Sequence, residues 1–201
     1  NYFNLNPNKK IVLILGGSLG ARTVNQTLIA GLETMRNHPD VQFIWQTGKI
    51  YIEQVREAIT AFTGEALRHS NVHGIPNLYV TDFIKDMNCA YAAADLVVSR
   101  AGAGSISEFC LLHKPVILVP SPNVAEDHQT KNALALVNKE AAIYVKDAEA
   151  MDKLLPVALS TVADAALLES LSLNIAKLAL PDSAEIIAKE VLKLADKEGR
   201  K

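Results

Sequence analysis

The stretch ADLVVSRAGAGSISEF, Ala94 to Phe109, decides the fold. Leu96 to Val98 is a short apolar run that predicts a buried strand. It breaks into Ser99-Arg100-Ala101-Gly102-Ala103-Gly104, and a helix pattern follows at once. The first N–H groups of a helix lack intrahelical partners, so a strand, a glycine turn and a helix start together form an anion site. Glycine lets a bulky phosphate approach such a backbone closely. In an open parallel sheet the turn lies at the carboxyl edge of the strands, where ligands bind. A plainer reading stands beside this one: Ser105-Ile106-Ser107-Glu108 fits the S-x-x-E capping box, in which Glu108 only closes the helix start.

The same strand–turn–helix order recurs on either side. Ile11 to Leu15 is a continuous apolar run, as expected for a parallel strand covered on both faces. Gly16 to Ala21, GGSLGA, follows it; this is not the G-x-G-x-x-G dinucleotide spacing, but it suits a tight turn into a helix over Arg22 to Arg36. Val41 to Gln46 predicts a second strand, with Thr47-Gly48-Lys49 its turn and an amphipathic helix over Ile50 to Phe62. Thr63 to Pro76 reads as loop. Leu78 to Phe83 is a third strand, leading into a short helix over Asn88 to Ala94. After the organising helix come a strand at Val116 to Val119, a polar loop from Ser121 to Asp127, a helix from His128 to about Asn138 and a sixth strand at Ala141 to Val145. Three helix patterns close the chain, over Ala148 to Leu159, Ala163 to Leu178 and Ser183 to Ala195, with Pro181-Asp182-Ser183 as a stop and restart. This alternation predicts an α/β fold with a doubly wound, parallel, six-stranded Rossmann-like sheet and extra C-terminal helices.

Composition narrows the function. The 201 residues suit one good-sized domain, and 49% hydrophobic content supplies a large core. Net charge is −2 with acids and bases interspersed, which argues against a nucleic-acid partner held by bulk charge. Cys89 and Cys110 lie in helical segments without metal-ligand spacing, so both are expected as buried reduced thiols. No metal or cofactor site is read. The apolar runs are too short to span a bilayer, and no signal peptide is visible. The chain opens on Asn1 rather than Met, and we expect it to be a piece of something longer.

Three segments at strand carboxyl ends should meet at one edge: Gly16 to Ala21, Ser99 to Glu108 and Pro120 to Asn132. Two neighbouring helix N-termini suit a diphosphate. Glu108 has the acceptors for two ribose hydroxyls, and Asp127, His128, Gln129 and Asn132 have the donors and acceptors for a sugar. Asp127 equally suits a helix N-cap, and His128 a solvated or hydrogen-bonded histidine. No nucleophile–base pair stands out: Ser99, Ser105 and Ser107 lack a nucleophile elbow.

VLILGGSLGARTVNQ (12–26), DFIKDM (82–87), SRAGAGSISE (99–108) and VPSPNVAEDHQTKNA (119–133) occur in this order. Together they resemble the carboxyl-terminal half of the MurG family, bacterial transferases that add N-acetylglucosamine to undecaprenyl-diphosphate-linked muramoyl-pentapeptide. The resemblance covers essentially the whole chain, including the lead-in YFNLNPNKK. It implies one half of a GT-B-type glycosyltransferase: a lead-in over 1–10, a UDP-sugar donor-binding domain over 11–180, and a terminal helix over 181–201 that packs on the amino-terminal half. It also implies residue roles. Ser18 contacts the donor near its diphosphate, Ile84 meets the uracil through its backbone, and Ala103, Gly104 and Ser105 hold phosphate. Glu108 holds the ribose hydroxyls, and Gln129 bonds the sugar with His128 beside it; some relatives carry a second glutamine at the His128 position. Arg100 is near enough in sequence to assist a phosphate.

The family reaction inverts the anomeric centre as UDP leaves. Its acceptor site and proposed base belong to the other half, so no catalytic residue is expected here, and the chain alone should bind UDP-N-acetylglucosamine without catalysing transfer. The family works peripherally at the cytoplasmic face of the bacterial inner membrane. The alternatives at this stage are another sugar-nucleotide enzyme of the same architecture (a lipid glycosyltransferase or an epimerase), a dinucleotide-binding oxidoreductase domain, which the glycine spacing disfavours, and a non-catalytic nucleotide-binding module.

Overall fold

Strand β1 (Lys10–Leu15) lies at the middle of the sheet because it is apolar on both faces. Val12 and Ile14 point to one side, and Ile11, Leu13 and Leu15 to the other, and each set joins a separate core. The computed structural model describes residues 2–123 and 127–198, with side chains to residue 195. Asn1 of the expected lead-in, residues 124–126 of the polar loop and residues 199–201 of the terminal segment lie outside the described residues.

Beside β1 run β2 (Val41–Gln46), every residue of it buried, and β5 (Leu96–Ser99). Beyond β2 lies β4 (Ile75–Thr81); beyond β5 lie β6 (Val116–Leu118) and β7 (Ile143–Tyr144). All these pairings are parallel. Outside β4 the structure adds a strand that the sequence reading left as loop: β3 (Asn71–Val72) pairs antiparallel with β4. His73 and Gly74 turn between them, Gly74 at φ +83°. Two residues carry too little periodicity to show as a strand; the turn and the open edge of β4 make the pairing. The sheet thus has seven strands, in the order β3-β4-β2-β1-β5-β6-β7.

Helices cover both faces. One core packs α1 (Arg22–Ala30), α2 (Leu32–Arg36), α3 (Ile52–Thr63) and α7 (Ala150–Ala163) over Val12, Ile14, Phe43 and Trp45. The other packs α4 (Met87–Ala93), α5 (Ala103–Leu111), α6 (His128–Val137) and α8 (Ala165–Ala176) over Ile11, Leu13 and Val97. The single helix expected over Arg22 to Arg36 divides at Gly31, where a β-carbon would run into Leu155 of α7. Cys110 is buried as expected, but Cys89 is exposed: it lies on the outer side of α4, whose inward residues are Ala90 and Tyr91. Helix α9 (Ser183–Glu198) does not pack on the sheet. Every described side chain from residue 181 to 195 is exposed, including Ile186, Ile187, Val191, Leu192 and Leu194.

From β1 the chain winds to β2 and β4 on one side, then returns to β5, β6 and β7 on the other. The connections leaving β1 and β5 therefore part on opposite faces, and a crevice opens between them at the carboxyl edge.

Candidate functional site: a cleft at the switch point

Two glycine turns frame this crevice. Gly17 and Gly20 in the turn after β1 take φ of +76° and +83°, and Gly48, in the turn after β2, takes +81°. A β-carbon on Gly48 would run into the Gly20 backbone, so the two turns lie backbone against backbone. Gln46, at the end of β2 and 5% exposed, fastens the first turn. Its Oε1 accepts from Gly17 N at 3.0 Å; its Nε2 donates to Gly17 O and Asp82 O, both at 2.9 Å. Asn25 braces the same region from α1, donating to Thr47 O (2.9 Å) and accepting from the buried indole of Trp45 (2.8 Å).

The turn after β5 leads straight into α5. Its N-cap is Gly102, and Ala103, Gly104 and Ser105 form the first turn, whose N–H groups have no carbonyl one turn back. Ser105 is therefore inside the helix, and the capping box does not form. Glu108 instead accepts a hydrogen bond from the Tyr91 hydroxyl at 2.7 Å. Burial, and then the Glu108 carboxylate, push the Tyr91 phenol above its ordinary value, which keeps it protonated as a donor.

The third segment closes the site through Gln129. Its Oε1 accepts from Ala101 N (3.2 Å) and Ser121 N (2.9 Å), tying the loop after β5 to the loop after β6. Asn132, expected among the sugar-facing residues, donates to Ala101 O at 3.1 Å and serves the same tie. Asp127 stands at the N-cap of α6 but makes no side-chain capping bond. Arg100, the candidate phosphate helper, is drawn into structure: its Nη1 donates to Val119 O (3.0 Å) and Pro120 O (3.2 Å) and pairs with Asp147, which also accepts from the Thr23 hydroxyl at 2.8 Å.

Ser18, Ile84, Ser105, Glu108 and Gln129 line one cleft of about 260 Å³, together with Tyr91 and Arg100. Ala103 and Gly104 are exposed on the α5 turn that forms its rim. Ile84 is 4% exposed with its side chain in the core, so its backbone is what it offers a ligand. His128 is exposed and lines neither this cleft nor the polar hollow next to it. That second hollow, about 480 Å³, shares Arg100 and Gln129 with the first and adds Arg22, Thr23, Ser121 and Asn123. Gln46 and Tyr91 were absent from the sequence-based site. A glutamine at the carboxyl end of a buried strand, directly before the Thr47-Gly48 turn, was a legible signal for the first; nothing local marked the second. Among the described residues no cluster of His, Cys, Asp or Glu has the arrangement of a metal site.

The fold is that of a glycosyltransferase half with a cleft at its switch point, and the chain belongs to the glycosyltransferase family 28 C-terminal domain, which matches residues 11–187. Among relatives, the UDP-N-acetylglucosamine--N-acetylmuramyl-(pentapeptide) pyrophosphoryl-undecaprenol N-acetylglucosamine transferase of Bacteroides fragilis is 75% identical over 96% of this chain and 48% of its own length. The Bacteroides thetaiotaomicron transferase of the same name is 70% identical over 98% of this chain and 50% of its own length. The chain thus spans about half the length of these relatives. The crystal structure of Acinetobacter baumannii MurG superposes with a TM-score of 0.74 at 27% identity, covering 94% of this chain and 51% of that one.

Proposed function

We propose that this chain is the donor half of an inverting N-acetylglucosaminyltransferase of peptidoglycan synthesis. In this reading it holds UDP-N-acetylglucosamine while the remainder of the protein presents the lipid-linked muramoyl-pentapeptide. The observation that carries the proposal is the convergence of Ser18, Ile84, Ser105, Glu108 and Gln129 on one cleft, since they come from four separate segments of the chain. Its supports are the identity to the Bacteroides transferases and the switch-point position of the cleft.

The chemistry follows from what the cleft offers. The N–H groups of Ala103, Gly104 and Ser105, with the partial positive charge of the α5 N-terminus, stabilise the departing diphosphate. Ser18 adds a hydroxyl from the opposite turn. The Ile84 backbone meets the uracil, Glu108 accepts from the ribose hydroxyls, and Gln129 holds the sugar with its Nε2, which has no hydrogen bond among the described residues. His128, next to Gln129 in the chain, lines neither hollow and would meet the sugar only if its side chain turned toward the cleft. The proton of the attacking hydroxyl is taken by a base outside this chain, so these residues alone bind but do not transfer. The exposed apolar side of α9 supports its packing on the other half of the longer protein, as the division into 11–180 and 181–201 requires. Attachment, in this reading, is peripheral, at the cytoplasmic face and through the rest of the protein; among the described residues no single helix is long and apolar enough to cross a membrane.

Calorimetric titration with UDP-N-acetylglucosamine, UDP-glucose and NAD tests the proposal. Saturable binding of the uridine nucleotides is expected, tightest for the N-acetylglucosamine sugar. Glu108→Ala should weaken it about tenfold or more, the worth of hydrogen bonds to a charged acceptor. Preference for NAD, or indifference to Glu108→Ala, would overturn the assignment.

A further inference from the structure

Tyr91 and Glu108 lie on different helices, α4 and α5, with strand β5 between them. Tyr91 is 6% exposed, and its ring packs edge-on against the fully buried Phe109, with centroids 6.1 Å apart and planes at 80°. The ring is therefore fixed by the core, and its hydroxyl reaches out to Glu108 Oε2 at 2.7 Å. Glu108 itself is exposed on α5. An exposed glutamate samples many rotamers and loses that freedom when it binds a ligand. One anchored donor on one oxygen removes much of that cost in advance. An ionised carboxylate has about four lone-pair directions, so a single tyrosine bond leaves ample acceptor capacity for two hydroxyls.

We propose that Tyr91 is a positioning residue for the donor ribose: its hydroxyl holds the Glu108 carboxylate in the orientation that receives the ribose hydroxyls. This deepens the donor-binding reading and rests on it. The geometry is that of a second residue presenting a ligand-binding group at a set angle, as preorganised sites require. Tyr91 also lines the cleft, beside Ile84 and Met87, so the support is within the site itself.

The test compares UDP with 2′,3′-dideoxy-UDP as titrants of the whole chain, in the wild type, Tyr91→Phe, Glu108→Ala and the double variant. The wild type should favour UDP by about tenfold, the discrimination that a hydrogen bond to a charged acceptor supplies. Tyr91→Phe keeps the ring on Phe109 and should leave 2′,3′-dideoxy-UDP affinity close to wild type, because that nucleotide offers Glu108 no ribose hydroxyl. Its preference for UDP should fall to about threefold or less, the share of a charged hydrogen bond lost when its acceptor is no longer held in place. In the Glu108→Ala background Tyr91→Phe should add no further loss, because the two residues act as a unit. A Tyr91→Phe protein that keeps the full preference, or losses that simply add in the double variant, would overturn the proposal, since a purely structural tyrosine weakens both titrants alike. Failure of the underlying reading shows elsewhere: a wild type that does not distinguish the two nucleotides, together with a silent Glu108→Ala, removes Glu108 from the ribose and the tyrosine proposal with it.

Discussion

Asp147→Ala should destabilise the protein out of proportion to the loss of one ion pair. Asp147 and Arg100 are mostly covered, with side-chain exposures of 16% and 18%. Asp147 takes the Thr23 hydroxyl of α1 on one oxygen and Arg100 on the other, while Arg100 also donates to the carbonyls of Val119 and Pro120. Removing the carboxylate leaves a half-desolvated guanidinium with only two neutral acceptors, and a threonine hydroxyl without its partner. Exposed pairs contribute at most about 1 kcal/mol and breaking fully buried ones costs about 3–5 kcal/mol. The exposures place this pair between those limits, so the expected loss is about 2 kcal/mol. For a domain of this size each kcal/mol moves Tm by about 2–4 °C, giving a fall of about 4–8 °C. Thermal unfolding followed by circular dichroism measures it. Two controls sharpen the result. The exposed Lys153–Glu149 pair, at 60% and 41% side-chain exposure, should leave Tm nearly unmoved in Lys153→Ala. Arg100→Met combined with Asp147→Ala should recover part of the loss, because the orphaned charge goes with the arginine. A shift within about 1 °C for Asp147→Ala would refute the reasoning, since an exposed surface pair would give that small value.

Two further expectations concern the glycine turns and the thiols. Gly48→Ala combines a left-handed φ with a collision against the Gly20 backbone, whereas Gly64→Ala has the same φ problem in open space. Urea unfolding should show a loss of about 3 kcal/mol for the first and about 1 kcal/mol for the second; equal losses would contradict the close packing of the two turns. Cys89 is exposed, and Cys110 is buried with its thiol pushed up by that burial. A thiol-specific reagent at neutral pH should modify Cys89 promptly and Cys110 only on unfolding, because the thiolate is the reactive form; comparable rates by peptide mapping would count against the packing of α5.

Much of this protein was readable from its residues alone. The apolar runs Ile11–Leu15 and Leu96–Val98 identified parallel strands buried on both faces, because a strand covered by helices on both sides has no polar alternation. The glycine turns after them marked the edge at which the candidate cleft opens, and the order of the four motifs pointed to the family. These are local signals: period, punctuation and spacing within a few residues. What needed the tertiary structure was every contact between distant segments. The S-x-x-E spacing suggested a cap at Glu108, yet the helix began one turn earlier at Gly102, because the backbone leaving β5 was already extended there, and the carboxylate was left for Tyr91. Arg100 was near enough in sequence to assist a phosphate; only the fold shows that it lines the cleft while paired with Asp147 from 47 residues away. Strand β3 owed its existence to the open edge of β4, and the exposed flank of α9 showed only once the sheet was seen to be covered without it. Sequence patterns record the environment a residue requires; which partner supplies that environment is settled by chain topology, and only the folded chain displays it.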